Sequence, residues 1–273
     1  MTIDSSTGII RWDSSARTAG KYDVKVQMSE GLGGLDTQNF TIDLVSKGTG
    51  TIRGSVWDDL NQNGVRDSAL IQGSNPDIVF VIDSSGSRFR GSSVGDLNGD
   101  RRVDTILDAE LAGLNFLNQL LIQLGFGDRA HVSVISFGSS AVNLDMDPTT
   151  SGVQLFTNSA ADLNGNGILD VAESFRNVRS SGGTNFERAS GAADQTFRSL
   201  GTVSGQGNLI FLSDGAGTGS FNDEVTRLRA AGINISAYDA GTGANLTILR
   251  RIDPDATIFN STDELLNAFS GLD

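Results

Sequence analysis

The sequence predicts an α/β protein with a doubly wound, mostly parallel sheet and a small all-β segment before it. Two apolar runs of strand length, 78–82 and 209–212, lack the alternation of a half-exposed strand. Such continuous runs are typical of strands buried on both faces of a parallel sheet. Strand patterns then alternate with helical patterns to the end of the chain, which favours the doubly wound arrangement.

The first 47 residues form the predicted all-β segment. Apolar and polar residues alternate over 22–28 and again over 40–44, a period of two that predicts strands with one buried face. The glycine-rich stretch 29–34 between them predicts a hairpin. Residues 7–12 and 19–24 resemble the latter half of a bacterial immunoglobulin-like or cadherin-like repeat, which implies a spacer without a ligand of its own.

From residue 76 onward the pattern is that of an α/β domain. Leucines at helical spacing predict a first helix over 104–124. The next predicted elements are strand 130–137, edge strand 141–146, helix 185–200, strand 209–214, helix 222–231, strand 233–238, helix 246–252, strand 256–259 and helix 262–269.

The composition excludes several classes of function. The formal net charge is −13, and since phosphate backbones are bound by Lys and Arg, we expect no nucleic-acid binding. Cysteine is absent, which excludes disulfides, thiolate metal sites and cysteine nucleophiles. The sequence contains neither an apolar run of membrane-spanning length nor a signal peptide. We expect the chain to begin inside a domain, as a fragment of a larger secreted protein.

Side chains with oxygen donors follow both buried strands. Asp83, Ser85 and Ser87 stand at the carboxyl end of the first strand, where ligands bind in open α/β sheets. Thr184 follows two glycines before a predicted helix, and Asp214 ends the second buried strand. Hard oxygen donors suit Mg²⁺ or Mn²⁺ far better than zinc or copper. The pattern therefore predicts a site for a divalent cation.

These residues resemble the metal-ion-dependent adhesion site (MIDAS) of von Willebrand factor A domains: Asp-x-Ser-x-Ser, a Thr after glycines, and an Asp-Gly after a strand. The resemblance covers roughly residues 76–273 and all five positions. It implies that Ser85, Ser87 and Thr184 supply hydroxyl oxygens, while Asp83 and Asp214 hold Mg²⁺ or Mn²⁺ directly or through water. It also implies a protein partner whose acidic side chain completes the coordination. Hydroxyls add no charge, so the ion stays electrophilic toward that carboxylate.

Other interpretations of these residues are open at the level of sequence. Ser, Thr and Asp cap helices and turns without any metal. A serine hydrolase is disfavoured because no Gly-x-Ser-x-Gly elbow surrounds Ser85 or Ser87, and the single histidine, His131, lies in an alternating strand. A Mg²⁺-dependent phosphohydrolase with Asp83 as nucleophile would usually carry a second acid where this chain has Ser85. We therefore expect no enzyme activity.

Three acidic stretches have the spacing of calcium-binding loops, which need oxygen ligands at positions 1, 3, 5, 9 and 12, a carbonyl at 7 and glycine at 6. The stretch that begins at Asp162 fills every position, with Gly167 at the turn. Its predicted ligands are Asp162, Asn164, Asn166, Ile168, Asp170 and Glu173. The alternative is a solvated turn, since Asp, Asn and Gly favour turns without a metal.

The other two stretches match less completely. In the stretch that begins at Asp96, the predicted ligands are Asp96, Asn98, Asp100, Arg102 and Asp104. Arg101 stands in place of glycine, and Asp108 is a substitute for the closing acid. In the stretch that begins at Asp59, the predicted ligands are Asp59, Asn61, Asn63, Val65 and Asp67, with Leu70 at the closing position. Residues 54–64 are similar to the opening of calcium-binding B-type repeats of Gram-positive surface proteins, which implies a calcium-loop linker.

Together these predictions describe a bacterial extracellular or cell-surface adhesion module. It comprises a partial repeat at 1–47, a calcium-loop linker at 48–75 and an A-type domain at 76–273 with two inserted calcium loops. Mg²⁺ or Mn²⁺ would bind the protein ligand, and Ca²⁺ would stabilise the loops. The competing prediction is a passive stalk segment in which every metal is structural.

Overall fold

The computed structural model describes residues 1–4, 9–14, 17–29, 35–44, 71–85, 94–103, 105–179, 182–214, 217–240 and 245–270. The chain divides into two compact units, Met1–Asp58 and Asp59–Asp273. Across the described ranges, no helix combines the length and the apolar character needed to cross a membrane.

The smaller unit consists of antiparallel strand pairs. β1 (Thr2–Ile3) pairs with β2 (Ile10–Arg11), and β3 (Gly20–Ser29) pairs with β4 (Leu35–Leu44). The hairpin predicted from the alternating sequence is therefore confirmed. Its assignment to an immunoglobulin-like or cadherin-like repeat stays a prediction.

The larger unit alternates strands and helices, and each element predicted for it is present. In chain order the elements are β5 (Asp77–Asp83), α1 (Ile106–Gln123), β6 (His131–Phe137), β7 (Ala141–Asn143), β8 (Thr157–Asn158), α2 (Asp170–Phe175), α3 (Phe186–Leu200), β9 (Gly207–Ser213), α4 (Asn222–Ala230), β10 (Asn234–Ala240), α5 (Leu246–Leu249), β11 (Thr257–Phe259) and α6 (Thr262–Ser270). The sequence did not predict α2 or β8. Leu169 precedes α2 without a side-chain cap, so the usual start signal of a helix is missing there.

The sheet of the larger unit is mostly parallel, as predicted. Its order is β11-β10-β9-β5-β6-β7, and β8 also pairs with β6. β7 and β8 pair antiparallel with β6, whereas all other neighbouring strands are parallel. Because those strands point the same way, their carboxyl ends meet at one end of the sheet.

Helices cover both faces of this sheet, and β5 is buried at every position. Ile78, Phe80 and Ile82 belong to the core that includes α1, α2 and α6, while Val79 and Val81 belong to the core with α3, α4 and α5. Successive side chains of a strand point to opposite faces. A strand that is covered on both faces is therefore apolar at every position, which explains the continuous apolar run in the sequence.

Two helix glycines provide matched tests of this packing. A Cβ at Gly113 in α1 would lie 2.4 Å from Leu265 Cδ2 of α6, whereas a Cβ at Gly191 in α3 would meet nothing nearer than Glu224 Cγ at 4.0 Å. We expect Gly113→Ala to lower the free energy of unfolding by about 1–3 kcal/mol through overpacking. Gly191→Ala should raise it by about 0.5–1 kcal/mol, because alanine favours a helix. Urea unfolding measures both, and equal destabilisation at the two positions would contradict this picture of the α1–α6 contact.

Candidate metal centre

Two buried carboxylates meet where adjacent strands end. β5 ends in Asp83, and Asp214 directly follows β9. The two strands are parallel neighbours, with Ile82 opposite Leu212. Asp83 is 2% exposed and Asp214 is 6% exposed. The parallel sheet thus places two acidic side chains side by side in a largely water-free environment.

Ser85 links these two carboxylates. Its hydroxyl donates to Asp214 Oδ1 at 2.8 Å, and its backbone N–H donates to Asp83 Oδ1 at 2.9 Å. The second carboxylate oxygen of Asp83 accepts from the Ser213 hydroxyl at 2.9 Å. Ser213 was not among the residues predicted from the sequence, although it directly precedes Asp214. Oxygen donors from two strand ends therefore converge at one point.

Burial and repulsion both act on this pair of acids. They raise the pKa of Asp83 from 3.8 to about 6: burial is the larger cause, the negative charge of Asp214 adds to it, and hydrogen bonds from Ser85 and Ser213 oppose it. Two neighbouring negative charges in a buried site favour the uptake of a positive charge, whether a proton or a cation.

The segment that carries Thr184 is held by its backbone. The Thr184 carbonyl accepts from the N–H and the hydroxyl of Thr218, at 2.9 and 2.8 Å. Gly182 has φ +72°, and a Cβ there would lie 2.5 Å from Ser139 Oγ. Glycine is required here because a side chain would both strain the backbone and clash with Ser139. Ser87, the remaining predicted hydroxyl ligand, lies outside the described residues.

The donor set favours a hard cation. Within the described part of the chain, no three side chains of the Asp, Glu, His and Cys types come close enough to hold one ion by themselves. An ion beside Asp83 and Asp214 would therefore also use hydroxyl and water oxygens. Mg²⁺ typically binds through one or two carboxylates and keeps several waters, so these residues fit it.

Two further buried acids, Glu110 and Asp239, were missed in the sequence. Glu110 in α1 and Asp239 in β10 are both 0% exposed. The charges that act on Glu110 include those of Asp83, Asp214 and Asp239. Each acid had a signal: Glu110 interrupts the apolar stripe of α1, three residues after Leu107, and Asp239 follows the predicted strand 233–238 as Asp214 follows its own.

Known structures bear on the fold of this unit. No protein-family model matches the sequence, and no curated protein matches it. Among solved structures, a von Willebrand factor type A protein from Catenulispora acidiphila superposes with a TM-score of 0.51 and 16% sequence identity, covering 73% of this chain and 42% of that one. The larger unit has the fold of a von Willebrand factor A domain.

A second structure with this arrangement is proximal thread matrix protein 1 from the mussel byssus. It superposes with a TM-score of 0.50 and 16% identity, covering 74% of this chain and 47% of that one. The same mussel protein with a zinc-occupied MIDAS motif gives a TM-score of 0.48 and 16% identity over 72% and 47% of the two chains. The present chain thus spans less than half the length of each of these three structures.

Within the von Willebrand factor A fold, the loop from Asp162 lies between β8 and α2 and folds around its own first carboxylate. Asp162 accepts from the N–H groups of Asn166 and Gly167 at 3.0 and 2.8 Å. Asn164 Oδ1 accepts from the same Asn166 N–H at 3.0 Å, and Asn166 Oδ1 accepts from Ile168 at 2.8 Å. Gly167 has φ +81°, the left-handed conformation for which glycine is suited.

Glu173 closes this loop from α2. Its two oxygens accept from the side-chain amides of Asn164 and Asn166, at 2.8 and 3.1 Å. Asp170 is 1% exposed, and burial raises its pKa, with the negative charges of Asp162 and Glu173 adding to the effect. Rotation of the two asparagine amides would present oxygens in place of N–H groups. The structure therefore joins Asn164, Asn166 and Glu173 by hydrogen bonds within one loop, and the calcium site itself stays a prediction.

The loop from Asp96 has the same internal hydrogen bonds. Asp96 accepts from the N–H groups of Asp100 and Arg101 at 3.1 and 2.8 Å, and Asn98 Oδ1 accepts from Asp100 at 3.1 Å. The Arg102 N–H donates to Asp100 Oδ1 at 2.8 Å. Arg101 has φ +69°, so an arginine adopts the left-handed conformation expected of the missing glycine, at a cost of about 1–2 kcal/mol.

Asp108 does not serve this loop as Glu173 serves the other. Its Oδ1 accepts from the Leu97 N–H at 2.9 Å, and its Oδ2 accepts from the N–H and hydroxyl of Thr105, which caps α1. In the loop from Asp162, Asp170 accepts the equivalent hydrogen bond from the Leu163 N–H. The twelfth position of the loop pattern, which Glu173 fills in the other loop, is Leu107 here, and Leu107 is buried in the core. Asp104 and the whole predicted loop 59–67 lie outside the described residues.

Proposed function

We propose that the larger unit is a metal-dependent protein-binding module, in which Mg²⁺ or Mn²⁺ binds beside Asp83 and Asp214 and receives an acidic side chain from a partner protein. The observation that carries this proposal is the link made by Ser85 between two buried carboxylates at the carboxyl ends of parallel strands. Two acids whose charges repel in a buried site are stabilised by a divalent cation.

The predicted donors account for the ligand chemistry. Ser85, Ser87 and Thr184 would contribute neutral hydroxyls. Only the two carboxylates would then bring negative charge to the ion. The ion then keeps a coordination position for one more oxygen ligand. A carboxylate of a partner protein fits that position better than a neutral group because it adds Coulomb attraction.

The acidic loops support this role as calcium sites that rigidify the domain. The loop closed by Glu173 joins β8 to α2 and carries a full set of oxygen ligands. In this proposal residues 1–47 and 48–75 form a spacer and a calcium-loop linker before the domain at 76–273. The acidic, cysteine-free composition is consistent with a bacterial extracellular or surface protein that uses Ca²⁺ instead of disulfides.

An array of short immobilised peptides, each with a single Glu, Asp, Gln or Asn, tests this function. We expect the chain to bind a subset of the Glu or Asp peptides in Mg²⁺, and to lose that binding in excess chelator. Thr184→Ala should reduce it by about tenfold or more, since one oxygen donor is lost. The control is Thr226→Ala, which removes an exposed hydroxyl that bonds to Asn222 O in α4. Binding that persists in chelator, or that is equal for Gln peptides, would contradict the proposal.

The same experiment separates the alternatives. A passive calcium-stabilised stalk would bind no acidic peptide in either ion. A phosphohydrolase would release phosphate from a generic phosphoester in Mg²⁺. We propose that the chain is not an enzyme, which is supported by His131: it pairs with Asp77 at 2.9 Å at the start of β6, whereas Asp83 lies at the end of neighbouring β5. Ser85 therefore has no imidazole base beside it.

A further inference from the structure

Glu110 is a buried acid with no compensating contact among the described residues. It lies in α1, is 0% exposed, and neither carboxylate oxygen has a hydrogen-bond partner in that part of the chain. Buried carboxylates are normally paired or hydrogen-bonded, because the loss of water is otherwise uncompensated. An unpaired glutamate inside a helix face that packs on the sheet is an observation that a bound ligand would explain.

Asp239 repeats this situation from the other side of the centre. It stands near the end of β10, parallel to β9, and is 0% exposed. Its Oδ2 accepts from the Asn245 N–H at 2.5 Å, but its Oδ1 has no partner among the described residues. Two independent elements thus present buried, unsatisfied carboxylate oxygens.

The register of the sheet places Asp239 beside the Asp83–Asp214 pair, because Asp239 lies opposite Ser213, the residue before Asp214. Burial raises the pKa of Glu110 well above its ordinary value, and the negative charges of Asp83, Asp214 and Asp239 add to that effect. Burial likewise raises the pKa of Asp239 to about 6, with contributions from Asp214 and Asp83. Glu110 and Asp239 are therefore close enough to the Asp83–Asp214 pair for all four charges to interact.

Glu110 and Asp239 fit an indirect contact with an ion, through its bound water, better than direct ligation. Within the described residues, no three acidic or imidazole side chains are close enough to hold one ion directly. Mg²⁺ and Mn²⁺ bound through two carboxylates keep several waters, and a metal-bound water donates strong hydrogen bonds to nearby carboxylates. Unsatisfied acceptors beside a two-carboxylate site match that requirement.

We propose that Glu110 and Asp239 belong to the cation site as acceptors for the waters of a divalent ion that Asp83 and Asp214 hold. This inference rests on the proposed metal-binding function and extends it to two residues outside the MIDAS pattern. By accepting hydrogen bonds from these waters they stabilise the hydrated cation. Both are positioning residues, because they act on the ion through its bound water.

The test uses Mn²⁺ alone as the probe and the full chain as the protein. The relevant site is the one that Asp83→Asn removes, which distinguishes it from Mn²⁺ bound in the acidic loops. At pH 7.5, titration followed by electron paramagnetic resonance should show about tenfold weaker binding in both Glu110→Gln and Asp239→Asn. Asp253→Asn is the matched control: Asp253 is also buried, but it accepts from the N–H groups of Ala237 and Asp255, and its substitution should leave the affinity unchanged.

A second measurement distinguishes this role from a purely structural one. In chelator, Glu110→Gln should leave the melting temperature at or above that of the wild type, because a buried glutamine cannot ionise and burial opposes the charged form of Glu110. A structural role predicts a lower melting temperature and unchanged Mn²⁺ affinity. Unchanged affinity in both variants would overturn the inference and leave the proposed function intact. Absence of the Asp83-dependent Mn²⁺ site in the wild-type chain would overturn both.

Discussion

Asp83→Asn is expected to weaken Mn²⁺ binding at the metal centre by about 100-fold, or about 2.7 kcal/mol. Asp83 is buried, is oriented by Ser85 and Ser213, and supplies one of the two carboxylates at this point. Asparagine keeps the shape but removes the charge that attracts the ion. Isothermal titration with Mn²⁺ in the presence of Ca²⁺ measures the loss, and Asp253→Asn again serves as the control. A loss below threefold would show that Asp83 is not a ligand.

The same substitution should change how stability depends on pH. In the metal-free fold the pKa of Asp83 is about 6 rather than 3.8, so the folded state binds more protons than the unfolded state between these values. Stability linked to this group is therefore present below pH 3.8 and is lost as the pH rises to about 6. The loss is at most about 3 kcal/mol, and the buried Asp239 and Glu110, whose pKa values are also raised, titrate together with Asp83.

Unfolding in urea at pH 4 and pH 7, with chelator present, checks this dependence. Wild type should lose more stability than Asp83→Asn on going to pH 7. Mn²⁺ should reverse the trend in wild type, because the ion competes with protons and binds better as the carboxylates ionise. Equal pH dependence in the two proteins would contradict the assigned pKa shift.

Glu173→Gln is expected to abolish most of the stabilisation that Ca²⁺ gives to this protein. If the loop binds Ca²⁺, a concentration 100 times its dissociation constant raises the free energy of unfolding by about 2.7 kcal/mol. Glu173 faces the amides of Asn164 and Asn166 with both oxygens, so it is placed to bind the ion through both. Thermal unfolding with Ca²⁺ and with chelator measures the difference.

Two comparisons sharpen this prediction. Glu264→Gln changes a glutamate in α6 that accepts from the Asn260 N–H, and it should keep the full response to Ca²⁺. Asp96→Asn should reduce the response less than Glu173→Gln, since Leu107 stands at the closing position of the Asp96 loop. An undiminished calcium response in Glu173→Gln would exclude the loop from Asp162 as a calcium site.

Much of the fold was predictable because the signals were local. The continuous apolar run 78–82 predicted a strand covered on both faces, and the structure buries all of β5. The alternation over 22–28 and 40–44 predicted the β3–β4 hairpin with the observed pairing. Asn185 stands where the helix pattern begins and caps α3. In each case neighbouring residues along the chain contain the information.

Other features depend on contacts between distant segments. The six-residue helix α2 has no side-chain cap, and it forms where Val171 and Phe175 pack into the core beside α1. The acceptor role of Asp108 was hidden because the spacing of acidic residues does not show which backbone N–H each one binds.

By itself, the sequence determined the α/β class, the order of the main strands and helices, and the oxygen donors that follow the two buried strands, since these follow from periodicity and side-chain chemistry. Only the tertiary structure decided that Ser85 bridges Asp83 and Asp214, and that Glu110 and Asp239 join them as buried acids. The physical reason is that charge repulsion, burial and unsatisfied oxygens depend on how closely the strand ends and α1 approach one another, and that approach is set by packing across the whole sheet.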